Sequence, residues 1–512
     1  PLAARVVRAD AVAVAAGLLG PDGVLLGRYH RDYLRHDGPE HVLCFAPTRS
    51  GKGLHLTANL LSWPQSCAVL DVKGENWRTT SAYRAQLGPV YVLNPEGYGS
   101  RFDFLAELME LGSEADAALL QAATLMVRPE EERQQIFPRK AISALMAGMR
   151  AAYLLKEPVL PWVYAASRRG LRAYVLAVQE VARQLGDEKT MDYLVEYLDR
   201  TPDEVTPQLW ESDRVLFVQA WSNVTKTLAE VCTEGVLKLA SGRDFRAADL
   251  KRVPCTLYLI WREDMGAGVR RVFELVSLAL TKGMSRHADT HAGQPMQEVL
   301  FIVDEAGTFK VPELPTLMAT LAGRGVWLMP YFQGLKQIED VFGVGADQTI
   351  IGNASAVLWY PSNETAVVRY VEGMAGKVSV EVQSTTSGSS TSYGTSSENN
   401  PLGGLIPNRT YSGSTTTSFT DRPLITGDEF AQLGDGWLLL QTRNQRWAKV
   451  RALRWFEVPT LKARGSVQGM NGAPIAFNVD EYRRRVRFPS VPGRVRPTQA
   501  GGSEEFYIPD EN

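Results

Sequence analysis

The chain has 512 residues, of which 45% are hydrophobic and 22% are charged. This length exceeds what one hydrophobic core usually covers, so we expect two or three domains. The formal net charge of −2 argues against a nucleic-acid-binding protein that is basic over its whole surface. Any contact with DNA would need local basic positions or a ring of several subunits.

The cysteines and the apolar stretches exclude further classes. None of the four cysteines is spaced as a CxxC pair, which argues against a zinc site or a disulfide framework and favours a reducing compartment. The apolar stretch 11–20 is too short to span a membrane and lacks the basic flank of a signal peptide. Because the chain begins at Pro1, we expect that natural residues upstream are missing.

The first 104 residues read as short strands alternating with turns and helices. The runs 41–45, 67–71 and 90–94 are apolar almost throughout. Such runs suit strands of a parallel sheet that is buried on both faces. A segment of helix length, 52–61, separates the first two runs. The spacing therefore predicts a βαβ unit.

The pattern changes twice further along the chain. Residues 105–249 show helical periodicity, which predicts an all-α domain inserted into an α/β domain formed by 1–104 and 250–465. Residues 383–420 are rich in Ser, Thr and Gly and predict a long flexible loop or a hairpin, with disorder as the default. The rest, 466–512, reads as a C-terminal tail. Strands are predicted again at 256–260, 299–304, 326–329, 356–360 and 437–441.

A phosphate-binding loop is predicted at residues 46–53, which read APTRSGKG and lie between a strand and a helix. Such a loop needs small residues, so that backbone N–H groups can converge on phosphate oxygens, and a lysine for the phosphate charge. Two positions depart from the usual GxxxxGK[ST] pattern, namely Ala46 and Gly53. The missing hydroxyl at Gly53 matters more, because it normally binds Mg²⁺. The candidate cofactor-binding residues are Thr48, Arg49, Ser50, Gly51, Lys52 and Gly53.

A tight strand–helix turn without nucleotide is the alternative interpretation of this loop, and a second motif weighs against it. The apolar strand 299–303 ends in Asp304 and Glu305. Asp304 would hold Mg²⁺, in part through water, and Glu305 would polarise the attacking water as general base. By itself this pair could equally be a solvated acidic turn.

Three further polar residues are candidates for contacts with the γ-phosphate. In P-loop motors with an additional strand, a polar residue on a strand that lies between the two nucleotide motifs in space contacts the γ-phosphate. Gln333 has the right place in chain order for this role; a surface glutamine is the alternative. Arg49 and Arg324 could stabilise charge in their own subunit or reach a neighbour, or be ordinary exposed arginines. The sequence does not choose between them.

Several of these segments together resemble the TraG-like coupling proteins of conjugation and type IV secretion systems. The phosphate loop of that family commonly has glycine after the lysine. The resemblance extends over about residues 10–456. It is carried by residues 46–53, 60–66, 71–75, 304–305, 333–343 and 422–429.

The resemblance implies a fold, an activity and partners. It implies a RecA-like P-loop NTPase domain with an inserted all-α domain, forming a homo-hexamer around a channel at the cytoplasmic face of the bacterial inner membrane. ATP hydrolysis with Mg²⁺ would drive delivery of a relaxase–DNA complex or of effector proteins to the secretion channel. Family members usually carry N-terminal membrane helices, which are not visible here. With no hydroxyl at Gly53, we expect slow ATP turnover in isolated subunits.

Two rival functions remain open at this point. One is a recruitment platform that binds substrates and uses nucleotide for assembly; the presence of both Lys52 and Glu305 favours hydrolysis instead. The other is a DNA pump of the FtsK/HerA type, against which the helical insertion and the block 422–429 argue. Single-stranded DNA could bind to pore loops or to the arginines in 483–487, although a solvated tail is the simpler interpretation of that cluster.

Overall fold

The computed structural model describes residues 17–38, 40–128, 136–212, 214–262, 264–394, 406–445 and 447–467. The arginine cluster at 483–487, and the predicted tail from residue 468 onward, lie outside the described residues. Within the described residues, strands and helices alternate at both ends of the chain, and helices alone occupy a long middle part.

Thirteen strands are described, and they form two separate sheets. Their bounds are β1 Val24–Tyr29, β2 Asp32–His36, β3 His41–Phe45, β4 Ser66–Val72, β5 Val90–Leu93, β6 Thr256–Trp261, β7 Val299–Val303, β8 Val326–Phe332, β9 Ala354–Trp359, β10 Lys377–Gly394, β11 Ile406–Pro423, β12 Trp437–Thr442 and β13 Ala448–Arg451. The runs singled out in the sequence did not include β1, β2 and β13. These short strands contain arginines and an aspartate, which hide the apolar pattern of a buried strand.

Helices connect the strands and build the middle of the chain. Their bounds are α1 Lys52–Ser62, α2 Glu75–Leu87, α3 Phe104–Met109, α4 Ala115–Val127, α5 Ile136–Leu154, α6 Val159–Ser167, α7 Leu171–Leu185, α8 Glu188–Leu198, α9 Pro207–Trp210, α10 Leu216–Val231, α11 Glu234–Leu239, α12 Asp249–Arg252, α13 Ala267–Thr290, α14 Leu314–Thr320, α15 Leu335–Phe342, α16 Ala346–Gly352, α17 Thr365–Met374, α18 Gly427–Ala431 and α19 Pro459–Gly465. Helix α1 ends before Pro64, because the residue preceding a proline, Trp63, takes an extended backbone.

The large sheet has eleven strands in the order β2-β1-β13-β12-β9-β3-β8-β7-β4-β6-β5. The seven strands from β9 to β5 are parallel, and β12, β13, β1 and β2 extend them with antiparallel pairings. Strands β3, β4, β6, β7 and β8 are buried along their whole length. This is the continuous apolar pattern expected of a sheet with helices on both faces.

The two faces of the sheet have different coverings. Helices α1 and α2 pack on one face through residues such as Leu56, Leu60 and Trp77. On the other face, one continuous core joins sheet residues such as Leu43 to the helical middle of the chain, for example Val224. The helices between β5 and β6 therefore share a core with the sheet. The domain boundaries at 104/105 and 249/250 stay predictions.

The second sheet is a long hairpin of β10 and β11. Its pairing runs from Lys377 with Pro423 to Gly394 with Ile406 without a change of register. Of the two alternatives for 383–420, a loop or a hairpin, the structure has the hairpin over the residues that it describes, and the flexibility of this segment stays a prediction. Threonine, whose side chain is branched at Cβ, favours the extended backbone.

Candidate nucleotide-binding site

The candidate site lies at the carboxyl ends of three neighbouring parallel strands. Strand β8 pairs with β3 on one side and with β7 on the other. The loop 46–53 follows β3, Asp304 follows β7, and Gln333 follows β8. Because parallel strands end at the same edge, this order brings the predicted motifs together and places the strand of Gln333 between the other two.

The loop has the backbone geometry that an anion site requires. Gly51 has φ 97° and precedes helix α1 as its N-cap, without a capping side chain. The first N–H groups of a helix have no intrahelical partner, so in α1 they are available to an external acceptor. Arg49 also has a positive φ, 67°. Ala46 is anchored to the neighbouring strand, because its N–H donates to the carbonyl of Phe332 at 2.8 Å.

The two departures from the usual loop pattern are both accommodated. Ala46 is completely buried and is not among the residues with positive φ, so its methyl group needs no glycine at this position. A Cβ atom added to Gly53 would meet no heavy atom within 4 Å. The glycine at 53 is therefore not required by the space around it.

Four polar side chains form one connected cluster beside the loop. The Lys52 ammonium lies 3.0 Å from Asp304 Oδ1 and also forms an ion pair with Glu305 Oε1. The second oxygen of Glu305, Oε2, accepts a hydrogen bond of 3.0 Å from Gln333 Nε2. Lys52, Asp304, Glu305 and Gln333 are thus in direct contact, although up to 281 positions separate them in the chain.

Burial and charge act in opposite directions on this cluster. Asp304 is nine-tenths buried, and this burial raises its pKa above the usual value, although the Lys52 charge acts against the shift. For Lys52, burial lowers the pKa, but the attraction of Asp304 and Glu305 is stronger in sum, so the net shift is upward. Lys52 therefore stays charged and neutralises the carboxylates that surround it.

Asp71 is a residue of this region to which the sequence analysis assigned no role. It is the last residue but one of β4, which pairs with β7, and it accepts hydrogen bonds from the backbone N–H groups of Asn76 and Trp77 at the start of α2. Asn76 also accepts a hydrogen bond from Thr57 of α1, which links the two helices. Burial raises the pKa of Asp71 to about 6. The available signal was an aspartate at the end of an apolar strand, as at Asp304.

Buried polar contacts fix helix α1 against the sheet. His55 Nδ1 lies 2.8 Å from the hydroxyl of Tyr331 on β8, and its Nε2 lies 2.7 Å from the carbonyl of Leu25 on β1. Asn59 accepts from the N–H of Leu25 at 2.8 Å. Burial lowers the pKa of His55 to about 4, so the imidazole is neutral at pH 7. The helix that follows the loop is thus tied to the strand that leads to Gln333.

The remaining predicted residues differ in where the structure places them. Thr48 and Arg49 are exposed on the loop, and Ser50 is partly exposed. Arg324 precedes β8, whereas Gln333 follows it. Arg324 therefore lies at the amino ends of the parallel strands, away from the site, and binds Asp289 at 2.8 Å. The structure therefore excludes Arg324 as a charge-stabilising residue for the site of its own chain.

The strand order and the loop at the end of β3 define the class of the protein. It is a RecA-like P-loop NTPase fold that carries an all-α domain. More particularly, the chain belongs to the type IV secretory system conjugative DNA transfer family, whose model matches residues 5–475. The resemblance seen in the sequence is confirmed.

Curated relatives and solved structures agree with this assignment. The conjugal transfer protein TraG of Escherichia coli is 28% identical over an alignment of 437 residues, which covers 79% of this chain and 63% of TraG. VirD4 of Rhizobium radiobacter is 22% identical over 69% of this chain and 50% of VirD4. The chain thus spans less than two thirds of the length of these relatives.

A structure of the plasmid coupling protein TrwB in complex with ADP and Mg²⁺ shares the fold. Its TM-score is 0.58 at 14% identity, over 88% of this chain and 93% of that chain. A complex of TrwB with a non-hydrolysable ATP analogue has a TM-score of 0.54. Nucleotide and magnesium binding therefore occur in proteins of this fold.

Among the residues that the present structure describes, no helix combines the length and the hydropathy needed to cross a membrane.

Proposed function

We propose that this chain is the ATP-hydrolysing part of a coupling protein for type IV secretion. It would work as a homo-hexamer at the cytoplasmic face of the inner membrane. There it would pass a relaxase–DNA complex or effector proteins to the channel proteins. The observation that carries the proposal is the contact of Lys52, Asp304, Glu305 and Gln333 at three adjacent strand ends. A receptor without hydrolysis needs no carboxylate in the position of Glu305.

The ion pairs describe a resting site that ATP would rearrange. Lys52 now pairs with both carboxylates. When phosphate oxygens enter the loop, they compete for the ammonium group, and Lys52 turns from Glu305 to the β- and γ-phosphates. Glu305 is then free to accept a proton from the attacking water.

The loop and Asp304 would hold the nucleotide and its metal ion. Gly51, Lys52 and Gly53 supply N–H groups at the start of α1, where the helix dipole favours an anion, and Thr48, Arg49 and Ser50 form the part of the loop before them. Asp304 fits Mg²⁺, in part through water, because a carboxylate is the ligand that this ion prefers. The ion, when bound, neutralises the charge that develops on the phosphates. Gly53 offers it no ligand.

Gln333 would report whether the γ-phosphate is present. Its side chain donates to Glu305, and its backbone N–H donates to Gln337 Oε1 on α15 at 2.8 Å. A phosphate oxygen near Glu305 can take the Gln333 hydrogen bond. The loss of phosphate would return that bond to Glu305, so the state of the site would pass to α15.

A recruitment platform is the second candidate function. The Lys52 ammonium already pairs with both carboxylates, so nucleotide binding alone could be the signal. An FtsK/HerA-type DNA pump is a third candidate, but the helical middle of the chain and the block 422–429 count against it. Hydrolysis decides between the first two.

The test separates nucleotide binding from hydrolysis. We expect Lys52→Ala to lose tight binding of a fluorescent ATP analogue, because the phosphates lose their cation. We expect Glu305→Gln to keep binding but to lose hydrolysis by roughly 10²–10⁴-fold, since the general base is gone. Phosphate release is measured with and without single-stranded DNA, together with the mass in solution. Glu339→Gln, an exposed change on α15, is the matched control.

Either result has a clear meaning. DNA-stimulated hydrolysis that both variants abolish, with a shift towards hexamers, supports the motor. If the wild type binds ATP but releases no phosphate as monomer or as hexamer, the recruitment platform is the better account. Hydrolysis at the wild-type rate in Glu305→Gln would remove Glu305 from its assigned role.

A further inference from the structure

Three cations lie together on one face of the antiparallel part of the sheet. Arg28 on β1 is the direct cross-strand partner of Arg451 on β13, and Arg451 is the direct partner of Trp437 on β12. Lys449 lies two residues before Arg451 in the same strand and therefore on the same face. We call Arg28, Lys449 and Arg451 the cationic face.

The cationic face is electrostatically costly as it stands. Like charges that lie directly opposite each other in antiparallel strands repel and destabilise the sheet. In the described part of the chain, no carboxylate forms an ion pair with any of the three. Asp435, in the turn before Trp437, forms an ion pair with Arg454 at 2.9 Å. Binding of an external anion would reduce this repulsion.

Trp437 holds two of the cations in place. The Lys449 ammonium lies 4.7 Å, and the centre of the Arg451 guanidinium 4.6 Å, from the centre of its ring. Desolvation lowers the pKa of Lys449, as expected for an ammonium group without a nearby carboxylate. Arg451 is exposed, and Arg28 and Lys449 are partly exposed. Lys449 and Arg451 are therefore ordered beforehand, and all three cations remain open to a ligand.

The cationic face is separate from the candidate nucleotide site. Trp437 and Arg451 lie just beyond the level at which β9 ends, so they are at the same edge of the sheet as the loop after β3. Strands β9 and β12 lie between β3 and β13, which makes the lateral distance about 14 Å at ~4.8 Å per strand. A nucleotide held by Lys52 would not be the anion that these residues bind.

We propose that the cationic face binds the phosphodiester backbone of a single-stranded nucleic acid. The cations are spread over two strands, which suits a chain of phosphates better than a single anion. The Trp437 ring is already engaged by two cations, so the contact is to the backbone and has no base preference. This places a nucleic-acid contact outside the nucleotide site, and it rests on the proposed function only in the choice of substrate.

The test measures the salt dependence of binding to a labelled oligothymidylate by fluorescence anisotropy. For single strands, log K changes with log salt by about −0.7 per phosphate neutralised. The double variant Arg28→Ala/Arg451→Ala should therefore reduce that slope by about 1.4 and weaken binding roughly tenfold at low salt. Arg28→Lys/Arg451→Lys should restore both values, because charge is what matters. Arg183→Ala removes an exposed, ion-paired arginine on α7 as control.

The outcomes separate this proposal from the proposed function. The double alanine variant should bind the fluorescent ATP analogue as the wild type does and melt at nearly the same temperature, since it removes a repulsion together with the contact of Arg451 with Trp437. Unchanged oligonucleotide affinity and slope would overturn the proposal. The proposal would also be overturned if the double variant bound the oligonucleotide as the wild type does but lost binding to vesicles of anionic phospholipid. If the double variant hydrolyses no ATP alone but regains hydrolysis in a mixture with Lys52→Ala subunits, whose cationic face is intact, the cationic face serves a neighbour's nucleotide and the proposal is wrong.

Discussion

Gly53 occupies the position at which most phosphate-binding loops carry a hydroxyl group, and its surroundings explain what a change there would do. Space is open around it, and its backbone is not in the left-handed region. The backbone therefore does not demand glycine, in contrast to Gly51 with its φ of 97°. Neither the backbone conformation nor the space around residue 53 therefore explains why a hydroxyl group is missing there.

We expect Gly53→Ser to strengthen the magnesium dependence of nucleotide binding. Serine would add a hydroxyl at the start of α1 without a clash, and helix propensity should raise the free energy of unfolding by about 0.5 kcal/mol. The measurement is the affinity for a fluorescent ATP analogue over a series of Mg²⁺ concentrations, with thermal melting alongside. Gly53→Ala is the control, since it has the gain in propensity without the hydroxyl. Equal magnesium dependence in both variants would show that the hydroxyl does not reach the ion.

The short helix α3 shows how a single element can carry a pH-dependent contribution. Glu107 is buried in it and accepts a hydrogen bond of 3.1 Å from the N–H of Ala247. Burial raises its pKa from 4.5 to about 7. Between these values, the unfolded chain gives up the proton before the folded chain does. The contribution of Glu107 to the free energy of unfolding therefore falls as the pH rises from about 4.5 to about 7.

Glu107→Gln should remove this fall. The amide oxygen can still accept from Ala247, and no charge has to be buried. At pH 8 we expect the variant to be more stable than the wild type, by up to about 3 kcal/mol, and near pH 4 we expect little difference. Urea unfolding of both proteins at the two pH values checks this. Glu180→Gln, an exposed change on α7, should show no such difference. A parallel pH dependence in wild type and Glu107→Gln would contradict the assignment.

At the scale of the molecule, the β10/β11 hairpin stands apart from the two large cores. Its described side chains from Ser384 to Tyr393 and from Arg409 to Asp421 are exposed. At its base, the N–H of Leu424 donates to the carbonyl of Gly376 at 2.9 Å. The neighbouring helix α18 in contrast buries Phe430 completely. The hairpin should therefore contribute little to the stability of the rest.

Excision of most of the hairpin should leave the protein folded. Residues 384–416 are replaced by Asn-Gly, because Gln383 and Thr417 are a direct pair that a two-residue turn can join. We expect the free energy of unfolding to change by less than about 0.5 kcal/mol and nucleotide affinity to stay the same. Phe430→Ala is the comparison and should cost about 3–5 kcal/mol. A loss of that size on excision would mean that the hairpin is part of the core.

Much of the site was predictable because its signals are local. The loop 46–53 can be recognised from its own residues together with the strand before it and the helix after it. Asp304 and Glu305 can be recognised from the apolar strand that they follow. Eight strands, β3 to β9 and β12, could be recognised from runs of four to six mostly apolar residues. The strands β1, β2 and β13 could not, because charged residues interrupt their apolar pattern.

The sequence by itself determined the class of fold, the phosphate loop and the acidic strand end, since each depends on residues close together in the chain. Only the tertiary structure decided which strands are neighbours. Because of the strand order, Gln333 contacts Glu305 and Arg28 pairs with Arg451. These contacts join residues 28 to 423 positions apart. Arg324 lies at the other ends of the strands, away from the site. Strand order is settled by the packing of the whole core, which no local pattern contains.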